Sequence, residues 1–284
     1  MQKENLIITN NERLEEIVTS MKRGGVGRLH VLADFDRTLT TAFVDGKSVP
    51  SLISILRDEN YLTPDYALKA KALFAKYHAI EIDPNVPYED KWKAMDEWWR
   101  KHFALLIESG LEKSDLEKAV ASGKVKLRDG FNEIADFLYA NHIPLVIMSS
   151  SGLGSESISL YLKHAGKRYN NVHIICNEYE WDDNGKAIGI REPIIHGFSK
   201  YETAIQNYPA FDVVRERKNV ILLGDSVSDL GMVHGYEYDN LLSIGFLNDK
   251  VDERIEQYKK VFDVVLTSDT SMIFVEELLK EIVA

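Results

Sequence analysis

Leu29-His-Val-Leu-Ala-Asp34-Phe-Asp-Arg-Thr-Leu-Thr40 is the stretch whose reading decides the fold. Its first residues form a short Val- and Leu-rich run without polar alternation, the pattern of a strand covered on both faces. Two carboxylates, Asp34 and Asp36, follow at once. Asn219-Val-Ile-Leu-Leu-Gly-Asp225 repeats the strand-then-acid arrangement, and Ile143-Pro-Leu-Val-Ile-Met-Ser149 ends in hydroxyls instead. Helical material such as Ser155 to Ala165 separates the second run from the third. Strands alternating with helices predict an α/β fold, a parallel sheet with helices on both sides. Ligands of such sheets bind outside the carboxyl ends of the strands, where all three runs place their polar residues.

Residues 51 to 128 carry helical periodicity and little strand signal, so they read as a helical insertion between the first and second strands. A smaller extended unit is expected at Val172 to Ile195, with a hairpin turning at Asn184-Gly185. Acids outnumber Lys and Arg by 45 to 34 in 284 residues, a net charge of −11, which argues against a groove for a nucleic-acid polymer. The single cysteine, Cys176, excludes an internal disulfide framework and a cysteine-rich zinc site. The N-terminal residues lack a signal-peptide core, and the longest apolar stretches are far too short to cross a bilayer. The expectation is a cytoplasmic protein without a membrane partner, with a monomer as its working assembly.

The chemistry follows from residue type and placement. Asp34 and Asp36, at the end of a strand, can converge on one hard cation and one phosphoryl group. An aspartate can attack phosphorus to give an acyl phosphate, and a second can protonate the leaving oxygen and then activate water. Dianionic phosphate beside several carboxylates calls for Mg2+. Asp225 is placed to complete the metal shell and Asp229 to orient neighbouring groups. Ser149-Ser-Ser-Gly152, ahead of a helix, offers hydroxyls and free amides as a phosphate seat, and Lys200 supplies positive charge. Each feature alone has a bland reading: an Asx turn, a helix cap, a surface lysine. Together, in order and at strand ends, they point to phosphoryl transfer.

Asp-x-Asp-x-Thr, a strand-end Ser, a later Lys and Gly-Asp-Ser-x-x-Asp resemble the four motifs of the haloacid dehalogenase superfamily. The stretches AIEIDP, SSSGLG, NEYEWDDNG, IIHGFSK, ILLGDSVSDLGM and IGFLNDKVDERIEQY are similar, more closely, to the cytosolic 5'-nucleotidase III (pyrimidine 5'-nucleotidase) family. The resemblance implies a Rossmannoid core at residues 1–41 and 129–284 and a helical cap at 42–128. It implies Mg2+-dependent hydrolysis of nucleoside 5'-monophosphates, CMP and UMP first, through an aspartyl phosphate. By position, Asp34 matches the nucleophile and Asp36 the general acid/base. Asp34, the carbonyl of Asp36, and Asp225 match the Mg2+ ligands, and Ser150, Ser151 and Lys200 match the phosphate contacts. Thr38, Ser226 and Asp229 fall at auxiliary motif positions. Glu81 matches an acid that reads the base, and Trp99 an aromatic that stacks on it.

Three departures from the family pattern bear on selectivity. His102 stands where a serine contacts the base, and brings an imidazole whose ordinary pKa lies near neutrality. Arg37 stands where an apolar residue is usual. Asp45 to Leu56 lacks a cysteine-containing pattern. A phosphatase of another metabolite or of 7-methyl-GMP, a nucleoside phosphotransferase, and a catalytically silent nucleotide-binding protein remain open alternatives at this point.

Overall fold

The computed structural model describes residues 5–83, 85–200 and 208–284. Residues 1–4 of the N-terminal stretch, and Pro84 at the end of the AIEIDP match, lie outside them.

A seven-stranded sheet forms the centre, in the order β1-β11-β10-β9-β2-β5-β6. β1 is Leu6–Ile8, β2 Leu29–Ala33, β5 Leu145–Met148, β6 Val172–Ile175, β9 Asn219–Gly224, β10 Asn240–Leu247 and β11 Val264–Thr267. Neighbours are parallel except β1, which pairs antiparallel with β11. The three apolar runs read from the sequence are β2, β5 and β9, which lie side by side. Every residue of these three strands is buried.

Their side chains alternate between two helix layers, as the pleat requires. Val31, Ala33, Ile147, Ile221 and Leu223 join a cluster with Ile17 and Met21 of α1 (Asn11–Gly24), Ile134 of α6 (Phe131–Ala140), Ile158 of α7 (Gly154–His164) and Leu279 of α10 (Ile273–Val283). Leu32, Val146, Met148, Val220 and Leu222 join the opposite cluster, with Val214 of α8 (Ala210–Val214) and Tyr258 of α9 (Val251–Lys259). The arrangement is α/β with a mostly parallel sheet, as expected. Among the described residues no helix is long and apolar enough to cross a membrane.

Between β2 and β5 come a small hairpin, β3 (Phe43–Val44) with β4 (Lys47–Ser48), and four helices. These are α2 (Leu52–Asp58), α3 (Tyr66–Ile82), α4 (Tyr88–Glu108) and α5 (Lys113–Ala121). The chain enters and leaves this unit along two adjacent paths. Thr41 N donates to Lys126 O at 3.0 Å, and Arg128 N donates to Leu39 O at 2.9 Å. The hairpin expected near Asn184-Gly185 is present as β7 (Tyr179–Trp181) against β8 (Ala187–Ile190).

Arg128, just after the return path, is only 2% exposed. Its guanidinium donates to the carbonyls of Arg37, Thr38 at 2.7 Å and Thr40 at 3.3 Å. It also reaches Asn248 Oδ1 at 3.0 Å, Asp269 Oδ1 at 2.9 Å and Thr270 O at 2.9 Å. Its Cζ lies 4.5 Å from the Phe246 ring centroid. One side chain therefore ties together the segments that follow β2, β10 and β11. Losing it strands several buried acceptors and the Asp269 carboxylate at once. Arg128→Met is expected to lower unfolding free energy by about 3 kcal/mol or more in urea titrations. A loss under about 1 kcal/mol would show that the network contributes little.

Candidate active site

Parallel pairing of β2 with β9 sets Ala33 opposite Leu223, and Asp34 N donates to Leu223 O at 3.0 Å. The residues that follow these strands are thereby carried to the same place. Carboxylate oxygens of Asp34, Asp225 and Asp229 lie within 4.8 Å of one another. Lys200 Nζ donates to Asp34 Oδ1 and lies 3.3 Å from Asp229 Oδ1. Thr38 Oγ1 donates to Asp34 Oδ2 at 3.3 Å. Ser226 Oγ caps the short 3-10 helix Val227–Val233, and Asp229 Oδ2 accepts from Ser226 N at 2.9 Å. Asp229 is thus held from two sides, by Lys200 and by the Ser226 amide.

Asp36 lies outside this carboxylate group, in the turn Phe35–Leu39, where its backbone is extended. Its side chain lines a 440 Å3 cleft with Ser51, Arg57 and Phe74. A second cleft of 900 Å3 is lined by Asp225 and Ser226 from the sheet side and by His78 and Glu81 of α3. Glu81 is half-buried and accepts from or pairs with His78 Nδ1 at 3.0 Å. Glu81 and the acid after β9 therefore share one cavity.

The Ser149–Gly152 loop runs from β5 to the start of α7. Ser149 Oγ accepts from Ser151 N at 3.2 Å, and Ser151 Oγ accepts from Leu153 N at 3.3 Å. Ser150, half-buried, lies between them. At Gly154, φ is +72° and a β-carbon would fall 2.8 Å from Asn177 O, so only glycine fits this helix start. Asn177 bonds both Ser151 O at 3.5 Å and, through both ends of its amide, Ile195 at 2.9 and 2.8 Å. It joins the serine loop to the segment that leads to Lys200.

Trp99 packs on this loop from α4. A β-carbon at Gly152 would meet the Trp99 ring at 3.1 Å and Ile53 at 3.2 Å. Trp99 also stacks on His102, at 6.1 Å and 12°. His102 is hydrogen-bonded to Tyr66 OH at 3.1 Å. Burial, aided by Arg57, pushes its pKa down to about 4. The expectation that this imidazole titrates near neutrality is therefore corrected: at pH 7 it is neutral.

Sequence reasoning missed Arg128, Asn177 and Asn248. Each acts through contacts with residues distant in the chain; Asn177 and Asn248 fall inside the quoted stretches NEYEWDDNG and IGFLNDKVDERIEQY without being singled out, and Arg128 stands outside all of them. The β3–β4 hairpin was likewise unread, although Asp45-Gly46 between short β-prone residues is a usable turn signal.

Burial raises the Asp34 pKa to about 7, against the opposing pull of Lys200, and raises Asp36 to about 6. Burial, then the charges of Asp34 and Asp229, lifts Asp225 well above the carboxylate range. Burial alone would lower Lys200, but Asp229 and Asp34 outweigh it and hold the ammonium protonated. Asp34 and Asp225, at the ends of adjacent parallel strands with the buried Lys200 ammonium beside them, form a pocket suited to a cation and a phosphoryl group.

Comparison with known proteins takes this further. The family model described as pyrimidine 5'-nucleotidase (UMPH-1) matches residues 37–283. A Gallus gallus protein named 7-methylguanosine phosphate-specific 5'-nucleotidase is 35% identical over 283 residues, covering 99% of this chain and 97% of its own. The Homo sapiens protein of that name is also 35% identical, over 99% and 94%. The crystal structure of cytosolic 5'-nucleotidase IIIB bound to cytidine superposes with a TM-score of 0.88 at 29% identity, covering 99% of this chain and 94% of that one. A phosphoserine phosphatase, solved as a phospho-aspartyl intermediate analogue, shares the fold at a TM-score of 0.52 and 18% identity. The chain belongs to the pyrimidine 5'-nucleotidase (UMPH-1) family, and it is a 5'-nucleotidase, a phosphoric monoester hydrolase.

The raised acids predict how stability varies with pH. Unfolded aspartates titrate near 3.9, so folding disfavours their ionised forms, and stability declines as pH rises through the folded values. Lys200 stays protonated in both states over this range and adds no slope. Buried His30, His102 and His196, each pushed down to about 4 mainly by burial, add the opposite slope, but only below about pH 6.5. Between pH 6.5 and 8.5, in EDTA, the melting temperature is expected to fall. A flat or rising profile by scanning calorimetry would contradict the crowding of Asp34 and Asp225.

Proposed function

We propose that the enzyme hydrolyses nucleoside 5'-monophosphates with Asp34 as nucleophile, and that it uses Mg2+. The observation that carries this reading is the Asp34–Asp225–Asp229 cluster beside Lys200. All three acids offer hard oxygen donors at a separation that suits one small dication. Two of them have pKa values raised by mutual repulsion as well as burial, the mark of a site awaiting positive charge. Asp34, Asp225 and the backbone carbonyl of Asp36 would hold the ion. Bound there, it would supply the counter-charge that a dianionic phosphate needs among carboxylates.

Asp34 Oδ attacks phosphorus, and the bond from phosphorus to the 5'-oxygen breaks. Asp36, whose pKa near 6 suits proton exchange at neutral pH, gives that oxygen its proton. The nucleoside leaves. Asp36 then takes a proton from water, which attacks phosphorus and frees Asp34 and phosphate. Lys200, bonded to Asp34 without substrate, turns to the phosphate when it arrives, with Ser150 and Ser151 on the other side. Asp229 has both oxygens engaged by Lys200 and Ser226 N, so we assign it to orienting the lysine. Thr38 steadies the nucleophile.

Residues 42–128 would act as the cap and 1–41 with 129–284 as the catalytic core. Glu81 would accept from an exocyclic base amine, which favours cytosine or a guanine over uracil. Trp99 would present its ring to the base, and His102, neutral, would donate or accept one hydrogen bond. CMP is the first reading, supported by the cytidine in the structural relative. 7-Methyl-GMP is the second, supported by the names of the sequence relatives. A cytoplasmic location accompanies this reading, as the name of the cytosolic relative suggests.

Asp34→Asn is expected to reduce phosphate release from CMP and 7-methyl-GMP on the order of a thousandfold or more, with the melting temperature kept or raised. Turnover near that of the unmodified enzyme would refute the nucleophile. Glu81→Gln is expected to cost about ten- to a hundredfold in kcat/KM on the amine-bearing base while sparing a small aryl phosphate. Equal loss on both would remove Glu81 from base reading.

A further inference from the structure

Arg37 follows Asp36 in the left-handed region, at φ 61° and ψ 2°. That conformation is strained for any residue with a β-carbon. Its carbonyl is gripped by Arg128 and by Asn248 Nδ2 at 2.9 Å, so the backbone cannot relax and the side chain starts from a fixed point. From there the guanidinium reaches the wall between the 440 and 900 Å3 clefts, both of which it lines. Nη2 donates to Asp249 Oδ2 at 2.8 Å, while Nε lies 3.7 Å from Asp225 Oδ2. One permanent positive charge is thus shared between an acid of the cluster and an acid outside it. Asp249 also lies 3.5 Å from Arg254, which donates to Tyr258 OH at 3.1 Å. The Tyr258 hydroxyl in turn donates to the carbonyl of Asp225.

We infer that Arg37 is a positioning residue that sets the divalent-cation affinity of the acidic cluster by competing for Asp225, and that Asp249 governs the competition by drawing the guanidinium away. This rests on the reading of Asp34 and Asp225 as cation ligands. A guanidinium is charged at every accessible pH, so it opposes an arriving dication under all working conditions. Its side chain is 35% exposed, so solvent moderates the repulsion without removing it. Two consequences of opposite sign follow. Removing the charge at 37 strengthens cation binding, and removing the charge at 249 frees Arg37 to lean on Asp225 and weakens it. Methionine or glutamine at 37 carries the same β-carbon as arginine, so the backbone strain is unchanged and does not confound the comparison.

The test titrates Mg2+ alone into the substrate-free full chain by calorimetry, with EDTA-stripped protein. Arg37→Met and Arg37→Gln are expected to lower the Kd about five- to tenfold, and Arg37→Lys to leave it within about twofold. Asp249→Asn is expected to raise the Kd. Arg37→Gln keeps the comparison available if the methionine variant fails to fold. Equal affinity in Arg37→Gln and the unmodified chain, with Asp225→Asn weaker than both, overturns this inference and leaves the cation reading standing. No Mg2+ uptake by the unmodified chain overturns both.

Discussion

The carboxylates of Asp34, Asp225 and Asp229 crowd together at the carboxyl edge of the sheet beside the buried ammonium of Lys200. Carboxylates brought this close into a poorly hydrated place repel, and Asp34 and Asp225 are pushed toward their protonated forms. The sheet imposes the crowding. β2 and β9 are neighbours in parallel register, so the residues that follow them must emerge together. The acids cannot move apart without breaking strands that are buried on both faces. Most features around the site are responses to that constraint: the lysine between Asp34 and Asp229, the threonine on Asp34, the backbone amide on Asp229 and the arginine beside Asp225.

The turn after β2 carries a second burden. It places Asp36 on the 440 Å3 cleft while Arg37 takes a left-handed backbone, and the strain there is held by distant partners. Arg128 grips three carbonyls of this turn, and Asn248 a shared one. Asp269 joins in through Arg128 and also accepts from the amides of Ala42 and Phe43, both at 2.9 Å. The same buried arginine thus fixes the catalytic turn and stands next to the path by which the chain enters the helical unit. Geometry at the turn and geometry of that path are set by one network.

What was legible in the sequence follows from how local each signal is. β2, β5 and β9 were readable because strands covered on both faces need unbroken apolar runs. β10 was not singled out, since Asn240-Leu-Leu-Ser-Ile-Gly-Phe-Leu247 is interrupted by Ser243 and Gly245, and Gly245 is required because the Phe262 ring lies where a β-carbon would be. β1, three residues long, is too short to rise above the background, and β11 lies outside the three runs singled out. Asp34, Asp225 and Asp229 could be nominated because their motifs follow strand ends, and Lys200 because its stretch resembles the family's, yet their mutual distances are products of topology. Arg128 carries no such mark, and Asn177 stands in a family-like stretch with nothing local to say what it bonds. Buried polar residues that bridge remote segments look in sequence like any surface arginine or asparagine. The imidazole of His102 was misread for a related reason: its environment, enclosed by Trp99 and bonded to Tyr66, is tertiary.

The clustered acids and the residues proposed to read the base belong to different elements, and the names of related proteins agree on 5'-nucleotidase activity while differing over the base. The acids belong to the sheet, whose register leaves them no latitude. Glu81, Trp99 and His102 belong to α3 and α4, which touch the sheet layer at few places. Trp99 and Ile53 close on Gly152, Trp92 meets His196 edge to face at 5.2 Å, Arg100 pairs with Glu192, and Tyr88 donates to Phe198 O at 3.0 Å. The last three all fall on the segment that ends at Lys200. On the proposed reading, a substitution at Glu81, which shares its cavity with Asp225, alters base choice while leaving the register of β2 and β9 in place. A change on the side of α4 that touches residues 192–198 reaches the segment of Lys200, and through the lysine Asp34. Helix α4 is thereby bound along one face to the segment that leads to Lys200.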